Sequence, residues 1–138
     1  MSEPIYKNVK STYTEARAPF EGKDFRFFCY RQNNSGGSFH RSEDYDVVTI
    51  VPGMSSEDAD RRAEELGIYF DGCSSDRDCS CCGDRWSRSY DDGDEEPLVY
   101  GQTPEAYVAG QFSRPVIIHY PDGSRRRVEL VEPKSSLY

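Results

Sequence analysis

Tyr45-Asp46-Val47-Val48-Thr49-Ile50-Val51-Pro52-Gly53-Met54-Ser55-Ser56-Glu57-Asp58-Ala59-Asp60-Arg61-Arg62-Ala63-Glu64-Glu65-Leu66-Gly67 reads as a strand followed at once by a helix. The β-branched run 47–51 favours a strand, and Pro52-Gly53 is a stop signal. Ser55 can cap the helix that follows, with Glu57 and Asp58 in the first turn, where the helix dipole favours acids. Ala59, Ala63 and Leu66 fall at i, i+4 and i+7, one narrow apolar stripe whose small alanines suit close packing on a sheet. Gly67 fits the C′ position, with Ile68 packing back on the last turn as in a Schellman cap. The helix is therefore expected over 56–66.

Working outward, Asp24-Phe25-Arg26-Phe27-Phe28-Cys29-Tyr30-Arg31 is an aromatic-rich strand, plausibly antiparallel to the first, and 33–38 is a loop by composition. Residues 1–23 lack periodicity and read as an irregular N-terminal arm. Downstream, Ile68-Tyr69-Phe70 and Leu98-Val99-Tyr100 read as short strands. Thr103-Pro104 opens one or two helical turns closed by Gly110. Pro115–Tyr120 and Arg125–Val131 flank Pro121-Asp122-Gly123-Ser124, a hairpin signal. The expected architecture is a single α+β domain over 24–132, an antiparallel sheet of about four to six strands with one main helix and a C-terminal hairpin, then a loose tail at 133–138. Phe25, Phe27, Val48, Ile50, Leu66, Ile117 and Val128 are the candidate core, with alternation leaving open which of Phe27 and Phe28 faces inward.

The chain has 138 residues, enough for one domain, with 36% hydrophobic and 13% aromatic residues. Tyr and Phe must carry much of a thin core, which makes a metal or a partner surface a plausible source of extra stability. The net charge of −8 would repel phosphate backbones, so nucleic-acid binding is disfavoured, and it suits basic partner surfaces. Mean hydropathy is −0.82 with no long apolar run, so no membrane span is expected. The start, Met1-Ser2-Glu3-Pro4-Ile5-Tyr6-Lys7, has no signal-peptide pattern, which makes cytosol the expected compartment.

Four of the five cysteines lie within ten residues, Cys73, Cys79, Cys81 and Cys82. Clustered thiols in a reducing compartment are more often ligands than disulfides, and an odd total argues against a closed disulfide framework. Cys79-x-x-Cys82-Gly83 has the form of a metal knuckle, because two thiolates at that spacing reach one ion and the glycine permits a tight turn. The expectation is a structural zinc held by Cys79 and Cys82 with further ligands from Cys73, Cys81, Cys29 or a histidine. Cys73 is the best third candidate and Cys81 its competitor, since adjacent Cys81 and Cys82 would be strained on one ion. A zinc ribbon carries two knuckles, and only one is present. The competing readings are reduced thiols packing a turn, or a dithiol switch of Cys79 and Cys82 with Arg77 and Arg85 lowering a thiolate pKa. Redox pairs of this spacing usually open a helix, which Gly83 opposes.

Nothing else has the form of an enzyme site. His40 and His119 lack a nucleophile context, His119 reading as a solvent-facing or hydrogen-bonded strand residue, and no phosphate loop or zinc-protease helix motif occurs. Asp91, Asp92, Asp94, Glu95 and Glu96 lack the ligand order of an EF-hand and read as a solvated loop. Arg125, Arg126 and Arg127 read as an exposed edge protected by charge. Trp86 either covers the metal or the sheet, or stands exposed as a binding anchor. Together with Arg85 and the acidic loop it forms the expected interaction surface.

Gly67-Ile68-Tyr69-Phe70-Asp71-Gly72, followed by Asp78-Cys79-Ser80-Cys81-Cys82-Gly83-Asp84-Arg85-Trp86 and an acidic loop ending in Pro97, resembles a family of small uncharacterised tailed-bacteriophage proteins. The likeness covers about a quarter of the chain and implies a virus-encoded accessory protein in the host cytoplasm, with no established activity. The leading expectation is thus a non-enzymatic protein with a zinc knuckle that binds a host or viral protein. A thiol redox protein is the alternative, and a nucleic-acid-associated knuckle protein comes third.

Overall fold

The interior strand Val48–Gly53 has all six residues buried. In chain order the elements are β1 (Val9–Glu15), β2 (Arg26–Arg31), β3 (Val48–Gly53), α1 (Ser56–Glu65), α2 (Pro104–Ala109), β4 (Val116–His119) and β5 (Ser124–Leu130). This computed structural model describes residues 8–15, 18–34, 37–111 and 113–131; the tail expected at 133–138 lies outside them.

The strands form one sheet in the order β1-β5-β4-β3-β2. The α+β class is as expected, but the sheet is mixed rather than antiparallel. β3 and β4 run parallel, with Val48 opposite Val116 and Ile50 opposite Ile118, while every other pair is antiparallel. The physical reason is the long connection 54–115, which carries both helices and returns the chain to the start of the sheet, as a parallel crossover requires.

Pro52-Gly53 does not stop β3; both residues stay in the ladder, opposite Phe27 and Arg26. Phe27 gives its own N–H and C=O to Asp94 on the outer side of β2, at 2.8 and 2.9 Å. Phe27 and Pro52 are therefore a non-hydrogen-bonded pair, and the missing proline N–H points toward β4, whose pairing has ended at Ile50.

Alternation sends side chains to two apolar layers. Phe28, Tyr30 and Val51 meet Ala59, Ala63 and Leu66 of α1, with Ile68, Phe70 and Trp86 completing that layer. Val48, Ile50, Val116, Ile118 and Val128 meet Val108 of α2 on the other face, where Phe27 and Cys29 are partly buried. Phe28 is the fully buried member of its pair, and Phe25 is only half-buried.

Helix α1 begins as its sequence dictates, the Ser55 side chain accepting from the Asp58 N–H. It ends in a Schellman cap, with Ile68 N–H donating to Ala63 O at 3.2 Å and Gly67 N–H to Glu64 O at 3.1 Å. The hairpin forms as expected, His119 facing Arg125.

Three local expectations are corrected. The arm 1–23 is not irregular throughout, because Val9–Glu15 pairs along the whole of β5. Residues 68–70 form no strand; Ile68 and Phe70 fill the core directly after the helix cap. Residues 98–100 contribute only the single bridge Val99–Gln102. With β1 in place β5 is an interior strand, so its arginines are not an exposed charged edge. Arg125 pairs with Asp44 at 2.9 Å, Arg127 with buried Asp46, and Arg126 on the other face with Glu105.

Candidate metal centre

The cysteine loop is fastened at both ends before any metal is considered. The entering chain turns at Asp71, whose carbonyl accepts the N–H of Ser74, and the N–H groups of Arg77 and Asp78 return to the Gly72 carbonyl at 2.9 and 3.0 Å. This return buries the Asp78 carboxylate. It accepts the Tyr69 hydroxyl at 2.5 Å and the Arg85 main-chain N–H at 2.7 Å, with the Arg85 guanidinium 3.6 Å away. Burial by itself would raise the Asp78 pKa, but the Tyr69 bond, the Arg85 N–H and the Arg85 charge hold the carboxyl below its ordinary value. Gly72 is required beside it, since a Cβ there would sit 1.9 Å from an Asp78 oxygen.

On the outgoing side Asn33 acts as a clamp. Its side-chain amide donates to the carbonyls of Cys82 (2.8 Å) and Asp84 (3.2 Å), and its main-chain N–H to Arg85 O. Arg85 donates to Gln32 and to the Ser38 carbonyl. Trp86 follows, its ring edge-on to Tyr45 in the α1-side core.

Between these fastenings the sulfurs of Cys79, Cys81 and Cys82 all lie within 4.8 Å of one another. Cys79 and Cys81 are the nearest pair, with 2.9 Å between sulfurs. A tight turn over 79–83 brings them together, Cys82 and Gly83 both donating to the Cys79 carbonyl at 3.1 and 3.2 Å, with Gly83 at φ +90. Thiols and N–H groups of Cys81 and Cys82 favour a thiolate on Cys79, whose pKa falls to about 7, while the hydrogen bond to Cys79 pushes Cys81 up to about 11. Of that pair, Cys79 is the thiol that ionises first. Arg77 and Arg85, expected to lower a thiolate pKa, are engaged elsewhere, Arg77 over the Tyr69 ring and Arg85 on Asp78.

Two thiolates on a tetrahedral ion with bonds of about 2.3 Å sit roughly 3.7 Å apart. The three sulfurs are therefore spaced to close on one ion with small side-chain rotations. Soft thiolate sets suit zinc, Cu(I) and iron–sulfur chemistry alike, so the spacing alone does not select zinc.

The other expected ligands are elsewhere. Cys73 is half-buried, its sulfur 3.5 Å from the Cys79 carbonyl and its N–H on Asp84; burial, then Asp84, raises its pKa. It stands beside the group of three, in which Cys81 joins Cys79 and Cys82. Cys29 lies on β2 in the opposite layer, its thiol pushed up to about 11 by burial. His119 is buried rather than solvent-facing, with Nε2 2.6 Å from the Asp44 carbonyl. His40 is exposed, and its main-chain N–H joins the Gln32 side chain of the Arg85 hub.

The expected interaction surface is corrected in part. Arg85 is 5% and Trp86 1% exposed, so neither is a surface anchor; both are roots of the loop. Asp91, Asp92, Glu95 and Glu96 are exposed, and Asp94 ties that loop to β2 through its bridge with Phe27. The anchoring residues Asp78, Tyr69, Asn33 and Gln32 carried no sequence signal beyond the nearness of Asp78 to Cys79.

The fold and the site define a small α+β domain with a three-cysteine loop rooted in its core. The chain belongs to the family described as a domain of unknown function (DUF7296), which matches residues 25–134. β1 precedes the matched segment. No curated protein and no solved structure matches the chain. Among the described residues no helix is long and apolar enough to cross a membrane.

Proposed function

We propose that the loop 72–86 is a zinc knuckle whose ion orders it, and that the protein is a non-enzymatic binding module. The single observation that supports this reading is the grouping of the Cys79, Cys81 and Cys82 sulfurs within 4.8 Å on a loop whose two limbs are already pinned. Pre-organised limbs lower the entropy cost of assembling ligands, so a metal bound there adds directly to folding stability. The exposed carboxylates of loop 91–96 and the formal charge of −8 favour a basic partner surface. The likeness to tailed-bacteriophage proteins makes the partner a host or viral protein met in a bacterial cytoplasm. The test is metal analysis of protein purified without added metal, with Cys79→Ser and Cys82→Ser beside it. Metal bound by the native chain and lost from both variants supports the reading, and metal-free native protein refutes it.

A second reading, thiol redox chemistry, draws on the 2.9 Å approach of the Cys79 and Cys81 sulfurs. It would pair Cys79 with Cys81 rather than with Cys82. A reversible disulfide in metal-free protein would favour it.

A further inference from the structure

We infer that the metal held by Cys79, Cys81 and Cys82 keeps one coordination position open to solvent, and that this position takes an imidazole donor from a partner. The inference rests on the metal reading above and adds to it the class of the missing ligand.

Among the described residues the donor group closes at three, with no further His, Cys, Asp or Glu atom within 4.8 Å of all of them. The nearest spare thiol cannot easily join. Cys73 is held by its N–H on Asp84 at 2.9 Å, and its sulfur is turned to the Cys79 carbonyl at 3.5 Å. The loop cannot swing to bring it round, because Asp78 and Arg85 lock one limb to the other and Asn33 clamps the second. Cys81 and Cys82 meanwhile are exposed, so the uncovered side of the ion faces outward. A divalent ion with four ligands is the stable zinc arrangement, and three protein ligands leave a position for something external.

Charge selects the donor. Three thiolates on a divalent ion carry a net charge of −1, and a fourth thiolate would make it −2, on a chain whose formal charge is already −8. A neutral imidazole adds no charge and is a common zinc ligand. A histidine on a basic partner segment would also suit the acidic chain as a whole.

Cobalt(II) replacing the metal in the full chain reports both the number of thiolates and the fourth ligand through its absorption bands. Under anaerobic conditions, added imidazole is expected to shift the ligand-field bands saturably, and glutathione to bind at least tenfold more weakly. Cys73→Ser is expected to leave the sulfur-to-cobalt intensity unchanged, whereas Cys81→Ser lowers it by about a third. A cobalt spectrum indifferent to imidazole, a tighter response to glutathione, or a loss of sulfur intensity in Cys73→Ser would overturn the inference while leaving the metal reading intact. Failure of the native chain to take up cobalt would overturn both.

Discussion

The Asp78 carboxylate accepts the Arg85 main-chain N–H at 2.7 Å, a bond that closes the chain around Cys79, Cys81 and Cys82. Asp78 lies immediately before the first of these cysteines, and Arg85 is the residue that fixes the far limb to Gln32 and Ser38. The three-cysteine turn is thus carried on a buried polar staple rather than on a free loop. This explains how a chain with a thin core can hold sulfurs at ligand spacing.

Removing that staple should be severe. Asp78→Ala leaves the Arg85 guanidinium buried without its carboxylate, at a cost of about 3–5 kcal/mol. Urea denaturation measures it, and an unchanged midpoint would show that the staple is dispensable.

The same pair sets an acid dependence. The Asp78 carboxyl is held below its ordinary value of 3.8, so its ionised form stabilises the fold. The contribution is complete above 3.8 and disappears as pH falls through the lower folded value. The stability gap between the native chain and Asp78→Asn should therefore stay constant from neutrality to about pH 5 and close at lower pH. A gap that instead widened on acidification would contradict the assignment.

In β2, Phe28 is 1% exposed and Phe27 half-buried. Phe28→Ala should cost about 3–5 kcal/mol and Phe27→Ala distinctly less. Chemical denaturation of the two variants ranks them, and equal or reversed losses would mean that the α1-side layer is not the tighter core.

β3 and α1 approach so closely that a Cβ on Gly53 would lie 2.8 Å from the Ala59 backbone. Gly53→Ala should destabilise by about 1–3 kcal/mol through overpacking. A variant as stable as the parent would show that α1 can move away from the sheet freely.

What could be read from the sequence was local and strongly patterned. Ser55, Gly67 and Ile68 marked both ends of α1 because capping is a short-range bond, and Pro121-Asp122-Gly123-Ser124 marked its hairpin for the same reason. β1 escaped because its residues from Lys10 to Glu15 are all exposed; the strand owes its conformation to pairing with β5 and shows no buried alternation. The parallel pairing of β3 with β4 is a property of the crossover between them, which no window of sequence contains. In the site, the close spacing of the cysteines was plain. That Cys81 rather than Cys73 groups with Cys79 and Cys82 depends on the turn at Cys79–Gly83 and on the Asp84 bond to the Cys73 N–H. Trp86 was legible as a large aromatic beside the loop, but its burial follows from Tyr45, more than 40 residues away along the chain.

The most direct measurement is the metal content of the chain purified without added metal, read together with its melting temperature before and after chelation. The account predicts about one zinc per chain, a lower melting temperature on chelation, release of the ion in acid as the thiolates protonate, and loss of metal in Cys79→Ser but not in Cys73→Ser. Native protein that carries no metal, and whose melting temperature is indifferent to both chelation and Cys79→Ser, would contradict it.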